Sequence, residues 1–130
     1  MNYFKINGRK YNVIVTSLQE TFNILYSENT GRNSLGTMVL DPLGTYIGHK
    51  IIVRGKRGYE DEYDELYEFL LQPRNGGIKA EIAHLQDSIS YDAYVSNGAR
   101  ALTRIDPNKN KAYWGELTLN IVPMEAQILP

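Results

Sequence analysis

The sequence contains no cysteine. Without thiol side chains, the chain can form neither a disulfide framework nor a thiolate zinc site, which suits intracellular synthesis. No apolar run approaches the roughly 18 to 20 residues that a membrane-spanning helix needs. The opening residues, MNYFKINGRKYNV, also lack the apolar core of a signal peptide. We therefore expect a protein with no membrane anchor and no signal peptide.

An excess of either charge is also missing, because 14 basic residues face 15 acidic ones and the net charge is −1. This balance argues against binding of nucleic acid or anionic lipid across the whole surface. One local group combines basic and aromatic side chains: Arg100, Arg104, Lys109, Lys111, Tyr113 and Trp114. Such a group resembles a single-strand binding surface. We interpret it as outward-facing strand and loop residues and expect no direct nucleic-acid binding.

Recognisable catalytic motifs are absent too. The two histidines, His49 and His84, lie on separate predicted strands with no carboxylate or second histidine at ligand spacing. Ser88, Ser90 and Ser96 lie on a regular predicted strand and not on the strained turn of a nucleophilic serine. Gly76-Gly77 is not followed by the Lys-Ser/Thr pair of a phosphate-binding loop. We expect no catalytic residue, no metal and no cofactor, and hence a protein that is not an enzyme.

Most of the chain alternates apolar and polar residues, which predicts β-strands. The segment SISYDAYVS is typical, with Ile89, Tyr91, Ala93 and Val95 on one face. Asn-Gly pairs at positions 7–8 and 97–98 predict hairpin turns, because both central positions of a type I′ turn need positive φ. A further turn is expected at Gln86-Asp87.

One segment, YEDEYDELYEFLLQP, has helical periodicity instead and predicts a single helix over residues 59–72. Tyr63, Leu66, Tyr67 and Leu70 follow the i, i+3, i+4, i+7 spacing of one helical face. The remaining side is acidic, and Pro73 ends the helix. We expect this acidic side to be solvated. A less favoured alternative is that it docks on the basic stretch 50–57 of a neighbouring copy.

Together these patterns predict a mainly β protein with one α-helix. The expected architecture is an antiparallel β-sandwich or partly closed barrel of eight to ten short strands, flanked by the helix. The length of 130 residues fits a single domain spanning residues 1–130.

Four segments in order also resemble small tail and baseplate structural proteins of long-tailed phages and Gram-positive prophages. They are FKINGRKYNVIV, MVLDPLGTYIGHK, YDELYEFLLQPRNG and YWGELTLNIVPMEAQ. The resemblance implies a tail-tube-like fold with two packed sheets and one helix, assembled in hexameric rings, without catalytic or cofactor residues. It also implies a virion tail location after assembly in the bacterial cytoplasm. The chain departs from major tube subunits by its shortness and by the lack of an obvious long inter-ring hairpin.

Ten tyrosines fit subunit interfaces as well as half-buried strands. The expected contact elements are the unpatterned loop 28–36, the extended C-terminal segment 124–129 and Trp114, which falls on the polar phase of the last strand. The predicted subunit contacts are Asn29, Arg32, Leu35, Trp114, Met124, Ile128 and Leu129.

The predicted function is that of a phage tail structural protein that forms a ring and contacts other tail proteins. Two alternatives are a monomeric β-sandwich module that binds carbohydrate or a host surface through a tyrosine-lined groove, and a small cytoplasmic enzyme. For the enzyme, the sequence offers no constellation of reactive groups.

Overall fold

The structure is a computed structural model that describes residues 2–130. The elements in chain order are β1 (Phe4–Ile6), β2 (Val13–Tyr26), β3 (Gly31–Arg32), β4 (Met38–Val39), β5 (Pro42–Gly55), α1 (Glu60–Leu71), β6 (Ile78–His84), β7 (Asp87–Asp106) and β8 (Lys111–Pro123). The prediction of a mainly β protein with one helix is confirmed. Three strands are much longer than expected, since β2 and β5 each have 14 residues and β7 has 20.

Six strands form one antiparallel sheet in the order β1-β6-β7-β8-β5-β2, and β3 and β4 form a separate two-stranded ribbon. The sheet is not closed into a barrel, because the edge strands β1 and β2 do not pair with each other. The sheet nevertheless curls, so that Glu20 on β2 reaches His84 on β6 at 2.7 Å. In a β-sandwich, two separate sheets pack face to face. Here the surfaces that face each other belong to one continuous six-stranded sheet.

The core lies inside this curl and follows the period of two along each strand. Its buried members are Phe4, Ile6, Tyr11, Ile51, Val53, Tyr63, Leu66, Ile78, Ala80, Ile82, Ala93, Leu117, Leu119 and Ile121. The cross-strand pair Ile51↔Leu119 lies in the middle of this set, where β5 meets β8. The inner face of the curl therefore buries the apolar phase of every strand in the sheet except β2, whose inner side stays partly open.

The helix prediction is confirmed in position and in orientation. Tyr63 and Leu66 are buried, and Tyr67 and Leu70 pack partly buried against the core. Gln72 is extended with ψ 119, as expected for the residue before a proline.

The acidic side of the helix contacts its own chain. Glu65 pairs with Arg9, the Glu62 carboxylate accepts a 2.7 Å hydrogen bond from Asn12, and Asp64 lies 3.1 Å from Arg100. Three of the acids therefore hold α1 on the sheet, in addition to facing solvent.

Of the two predicted Asn-Gly turns, only the first is present. Asn7 and Gly8 have φ of 51 and 80, as a type I′ turn requires. Asn97-Gly98 lies inside β7, at a bulge between Val95 and Gly98. A Cβ atom at Gly98 would lie 2.8 Å from the Thr118 carbonyl oxygen, so glycine here allows a close backbone approach instead of a chain reversal.

As a consequence, β7 and β8 form one long hairpin that reverses between Asp106 and Lys111. The expectation that the chain lacks a long hairpin is therefore wrong. The β6–β7 reversal also differs by one position from the prediction. It occupies Leu85 and Gln86, between the paired residues His84 and Asp87.

Candidate functional site

Two β-ribbons extend from the body and leave much of their surface exposed. The β2–β5 arm comprises residues 21–26 of β2, residues 42–48 of β5 and the segment between them. The β7–β8 arm comprises residues 97–116, none of which belongs to the buried core. Large exposed apolar side chains on the two arms are Phe22, Ile24, Leu25, Tyr26, Leu35, Met38, Val39, Leu40, Leu43, Leu102, Ile105 and Trp114. This number of exposed apolar side chains makes the two arms candidate sites of protein association.

The predicted contact loop lies at the outer end of the β2–β5 arm and is ordered by its own hydrogen bonds. The Asn33 side-chain oxygen accepts bonds from the backbone of Leu35 at 3.0 Å and of Thr37 at 3.1 Å. This turn leaves Leu35 88% exposed. Asn29 and Arg32 are exposed in the same segment, and Arg32 donates to the Gly36 carbonyl oxygen at 2.9 Å. The loop therefore projects from the arm in a conformation held by its own hydrogen bonds, with the apolar side chain of Leu35 at its tip.

The C-terminal segment lies along β5 on the same arm. Thr45 N–H donates to the Ile128 carbonyl oxygen at 2.8 Å. The Gln127 amide accepts from the backbone N–H of Ile47 at 2.9 Å and donates to its carbonyl oxygen at 2.7 Å. Met124, Ile128 and Leu129 keep exposed side chains. Ile128 and Leu129 therefore lie on the same arm as the predicted loop contacts, whereas the Met124 backbone N–H donates to the Asp92 carbonyl oxygen on β7 at 2.9 Å.

Trp114 lies apart from them, on the β7–β8 arm. The Arg100 guanidinium is 4.2 Å from the Trp114 ring centroid and 3.8 Å from that of Tyr67 on α1. Asp64 on α1 also lies 3.1 Å from Arg100, so these side chains join the helix to the arm. Since 39% of Trp114 stays exposed, the residue both supports the arm and offers a face to a partner.

The free edge of β2 was not identified from the sequence. This strand pairs with β5 on one side and has no strand neighbour on the other. Its sequence, VIVTSLQETFNILY, has one charged residue and no proline. Edge strands normally carry lysine, proline or other features that prevent pairing with another chain. The low charge of the segment was the signal that could have revealed this edge.

The β7–β8 arm has a second free edge. β7 pairs with β6 only as far as Ala93, so residues 94–106 have β8 on one side and no strand on the other. The chain therefore presents two long unpaired edges on different strands.

The outer face of the sheet holds a groove of about 670 Å³. Tyr46 and Tyr94 line it together with Asn23 and Asn120, and Gly48 and Lys50 are also in its wall. The Asn120 side chain donates to the Asn97 side-chain oxygen at 2.6 Å. Aromatic rings beside amide groups give this groove both an apolar and a hydrogen-bonding character.

A cluster of titratable groups occupies the inner face. His49 is the one buried polar or charged residue in the described chain. Its Nε2 lies 3.0 Å from Glu20 Oε2, and its Nδ1 lies 2.7 Å from the Tyr91 hydroxyl. His84 Nδ1 contacts the same Glu20 oxygen at 2.7 Å. The cluster links β2, β5, β6 and β7.

Burial and hydrogen bonding determine the protonation states here. Burial raises the pKa of Tyr91, so its hydroxyl keeps its proton and donates to His49 Nδ1. Burial also lowers the pKa of His49, which favours the neutral ring that carries its proton on Nε2. Burial alone would raise the pKa of Glu20, but hydrogen bonds from His84 and His49 outweigh it and lower that pKa.

No carboxylate lies at ligand spacing from either histidine in the sequence, but folding brings Glu20 to both. The available signal was alternation, since Glu20 and His49 fall on the inward phase of β2 and β5 and form a cross-strand pair. Within residues 2–130, no group of three His, Cys, Asp or Glu side chains is arranged to hold a metal ion. The distances in the cluster are those of hydrogen bonds.

No family model, curated protein or solved structure matches the chain. Within residues 2–130, no helix is both long and apolar enough to cross a bilayer.

Proposed function

We propose that the chain is a structural protein of a phage or prophage tail that forms a ring with copies of itself and contacts other tail proteins. In this proposal its fold is tail-tube-like, its role is not catalytic, and its place is the virion tail after assembly in the bacterial cytoplasm. The resemblance of the four segments supplies the family. The free edge of β2 is the observation that supports self-association.

An unpaired strand of 14 residues with one charged side chain favours pairing with another strand. The complementary strand is available on the same chain, at the free edge of residues 94–106 on the β7–β8 arm. Pairing of β2 in one copy with this edge in the next copy is head-to-tail. Head-to-tail contacts of this type generate closed rings when the rotation between copies allows it.

The exposed arms fit the same arrangement. Phe22 is 74% exposed beside the β2 edge, and Leu35 projects from the tip of the same arm. In a ring these side chains would be covered by the neighbouring copy or by the next tail protein.

Sedimentation velocity and native mass spectrometry at several concentrations test the proposal. We expect one closed oligomer of defined mass, with six copies as the resemblance implies. A variant with Phe22→Lys and Ile24→Lys puts two cations beside the β2 edge and should remain monomeric. The matched control is Leu71→Lys, which places a cation at an exposed position at the end of α1.

Three outcomes would contradict the proposal. A wild-type monomer at every concentration argues against self-association. A ladder of open oligomers argues against ring closure. A control variant that dissociates as readily as the edge variant shows that added charge, and not the β2 edge, is responsible.

The groove on the outer face favours a second candidate, a monomeric module that binds neutral carbohydrate. Sugar rings stack on tyrosine faces, and amide side chains bond their hydroxyl groups. Tyr46 and Tyr94 with Asn23 and Asn120 offer both kinds of contact.

Ligand-observed NMR with maltohexaose and cellohexaose tests this candidate. We expect saturation transfer that Tyr94→Ala abolishes and that the control Tyr3→Ala, at an exposed position outside the groove, preserves. The absence of transfer from both sugars to a monomeric protein contradicts it.

A further inference from the structure

We propose that Glu20, His49, His84 and Tyr91 form an acid-sensitive latch. In this proposal the latch holds the β2 side of the curled sheet against β6 and β7 at neutral pH and releases it in acid.

The latch joins strands that are far apart in the sheet. Three strands, β7, β8 and β5, separate β6 from β2 in the order of hydrogen-bonded neighbours. The bond from His84 to Glu20 therefore crosses the open mouth of the curl and not a strand pair. Without it, the β2–β5 ribbon is joined to the rest of the sheet where β5 pairs with β8, from His49 to Val53, and where His49 bonds Tyr91 on β7.

One carboxylate oxygen is shared by both histidines. At neutral pH, His49 Nε2–H and His84 Nδ1–H both donate to Glu20 Oε2, while the Tyr91 O–H donates to His49 Nδ1. The side chain of His49 is 0% exposed, so water does not compete for the two bonds that His49 makes.

Acid disrupts this pattern in two steps. A proton from solvent added to His49 Nδ1 turns that atom from an acceptor into a donor, and the Tyr91 hydroxyl then loses its acceptor. A proton added to the Glu20 carboxyl group removes the negative charge to which both histidines donate. The first step reverses the polarity of the bond between β5 and β7, and the second weakens the bond from β6 to β2 that spans the curl.

Both steps act in the same direction. The folded chain lowers the pKa of His49 mainly by burial, and it lowers that of Glu20 because hydrogen bonds from the histidines exceed the effect of burial. The unfolded or opened chain therefore binds protons more readily than the closed one. The latch is stable above the ordinary histidine pKa of about 6.5 and weakens as the pH falls through that value and then through the carboxyl range near 4.

One further charged residue lies beside the latch, Asp87 on β7, which is the cross-strand partner of His84. The groups that act electrostatically on His49 are Glu20 from β2 and His84 from β6, and the hydroxyl of Tyr91 contacts it from β7. On the remaining side, the cross-strand partner on β8 is the apolar residue Ile121.

The latch lies two residues from Phe22, at the base of the β2–β5 arm. Its release would alter the position of the β2 edge, so that assembly would depend on pH. This consequence alone rests on the proposed function, while the latch itself can be tested on the monomer.

Hydrogen exchange with mass spectrometry tests the latch at about pH 7.5 and about pH 5, after correction for the intrinsic rate. We expect protection around Glu20 and His84 to fall by up to about tenfold per pH unit below about 6.5. In Glu20→Gln, protection should be low at both values. In His84→Gln, a milder change at a partly exposed site, the dependence on pH should become shallower.

Glu81→Gln is the matched control, because Glu81 is on β6 and accepts a 3.2 Å hydrogen bond from Ser88 outside the cluster. It should retain the wild-type dependence on pH. Identical pH profiles in wild type and Glu20→Gln would overturn the latch, as would a wild-type profile that is flat. A latch that responds to acid in a protein that stays monomeric would reject the proposed ring and retain the latch.

Discussion

At the scale of single residues, Gln127 has a larger structural role than its surface position suggests. Its amide imitates a strand neighbour by bonding both the N–H and the carbonyl oxygen of Ile47. We expect Gln127→Ala to lower the free energy of unfolding by about 1–3 kcal/mol, because two part-buried backbone groups lose their partners. Urea denaturation measures this change.

Gln86→Ala is the matched control, since Gln86 lies exposed in the β6–β7 turn. This control should stay within about 0.5 kcal/mol of wild type. Equal stabilities of the two variants would show that the C-terminal segment is not fastened by Gln127.

Tyr91 offers a second test at the residue scale. Tyr91→Phe removes the hydroxyl that donates to His49 Nδ1 and so removes support for the neutral ring. We expect the pKa of His49 to rise towards its ordinary value and stability at neutral pH to fall by about 1–2 kcal/mol. Titration of the histidine ring protons by NMR measures the pKa, and an unchanged value would refute the assigned hydrogen bond.

At the scale of elements, α1 shows what local pattern can predict. A helical face of Tyr63, Leu66, Tyr67 and Leu70 needs no knowledge of the sheet to be recognised. Its stop at Pro73 depends on backbone geometry alone. The partners of its acidic side were not predictable, because Arg9 follows β1 and Arg100 lies on β7, both far from the helix in the sequence.

The packing of α1 leads to a prediction at the same scale. Leu66 is 0% exposed beneath the helix, so Leu66→Ala should destabilise the fold by about 2–5 kcal/mol through lost burial and a cavity. Leu71→Ala, at the exposed end of the same helix, should change stability by less than about 0.5 kcal/mol. Chemical denaturation compares the two, and similar losses would contradict the assigned orientation of the helix.

The strands show where local pattern is insufficient. Asn97-Gly98 has the residues of a turn, yet its backbone continues as a bulge because β8 supplies a partner on each side of it. Cross-strand pairing therefore overrides a local preference. Alternation in β2 predicted a strand correctly but could not show that one of its edges stays unpaired, since that depends on where the other strands lie.

The latch illustrates the same limit for the candidate site. Glu20 and His84 are 64 positions apart in sequence and meet only because the sheet curls. Their residue types carry no spacing motif. Alternation in the sequence places Glu20 and His49 on the inward faces of their strands. That they are neighbours follows only from the register of β2 and β5, in which the two residues are cross-strand partners.

At the scale of the whole molecule, the buried core and the proposed association surfaces are separate. The core residues come from the curled sheet and α1, whereas residues 97–116 contribute none. Stability and assembly should therefore respond to different changes. This separation also explains how the chain can expose so many apolar side chains while its core remains filled.

A shortened β7–β8 arm tests that separation. Leu102 and Trp114 are cross-strand partners, so replacement of residues 103–113 by Asn-Gly joins them through a two-residue turn. We expect cooperative unfolding within about 1 kcal/mol of wild type, because no core residue is removed. Self-association should be weakened, because residues 103–106 at the outer end of the free edge are removed.

The two measurements, denaturation and sedimentation, decide independently. An unfolded variant would show that the arm belongs to the folding unit and that the separation is wrong. A folded variant that keeps the wild-type oligomeric mass at the same concentrations would show that residues 103–106 of the arm edge do not contribute to pairing with β2. A folded variant with reduced self-association would show that the body folds without the outer part of the arm and that the arm contributes to contacts between copies.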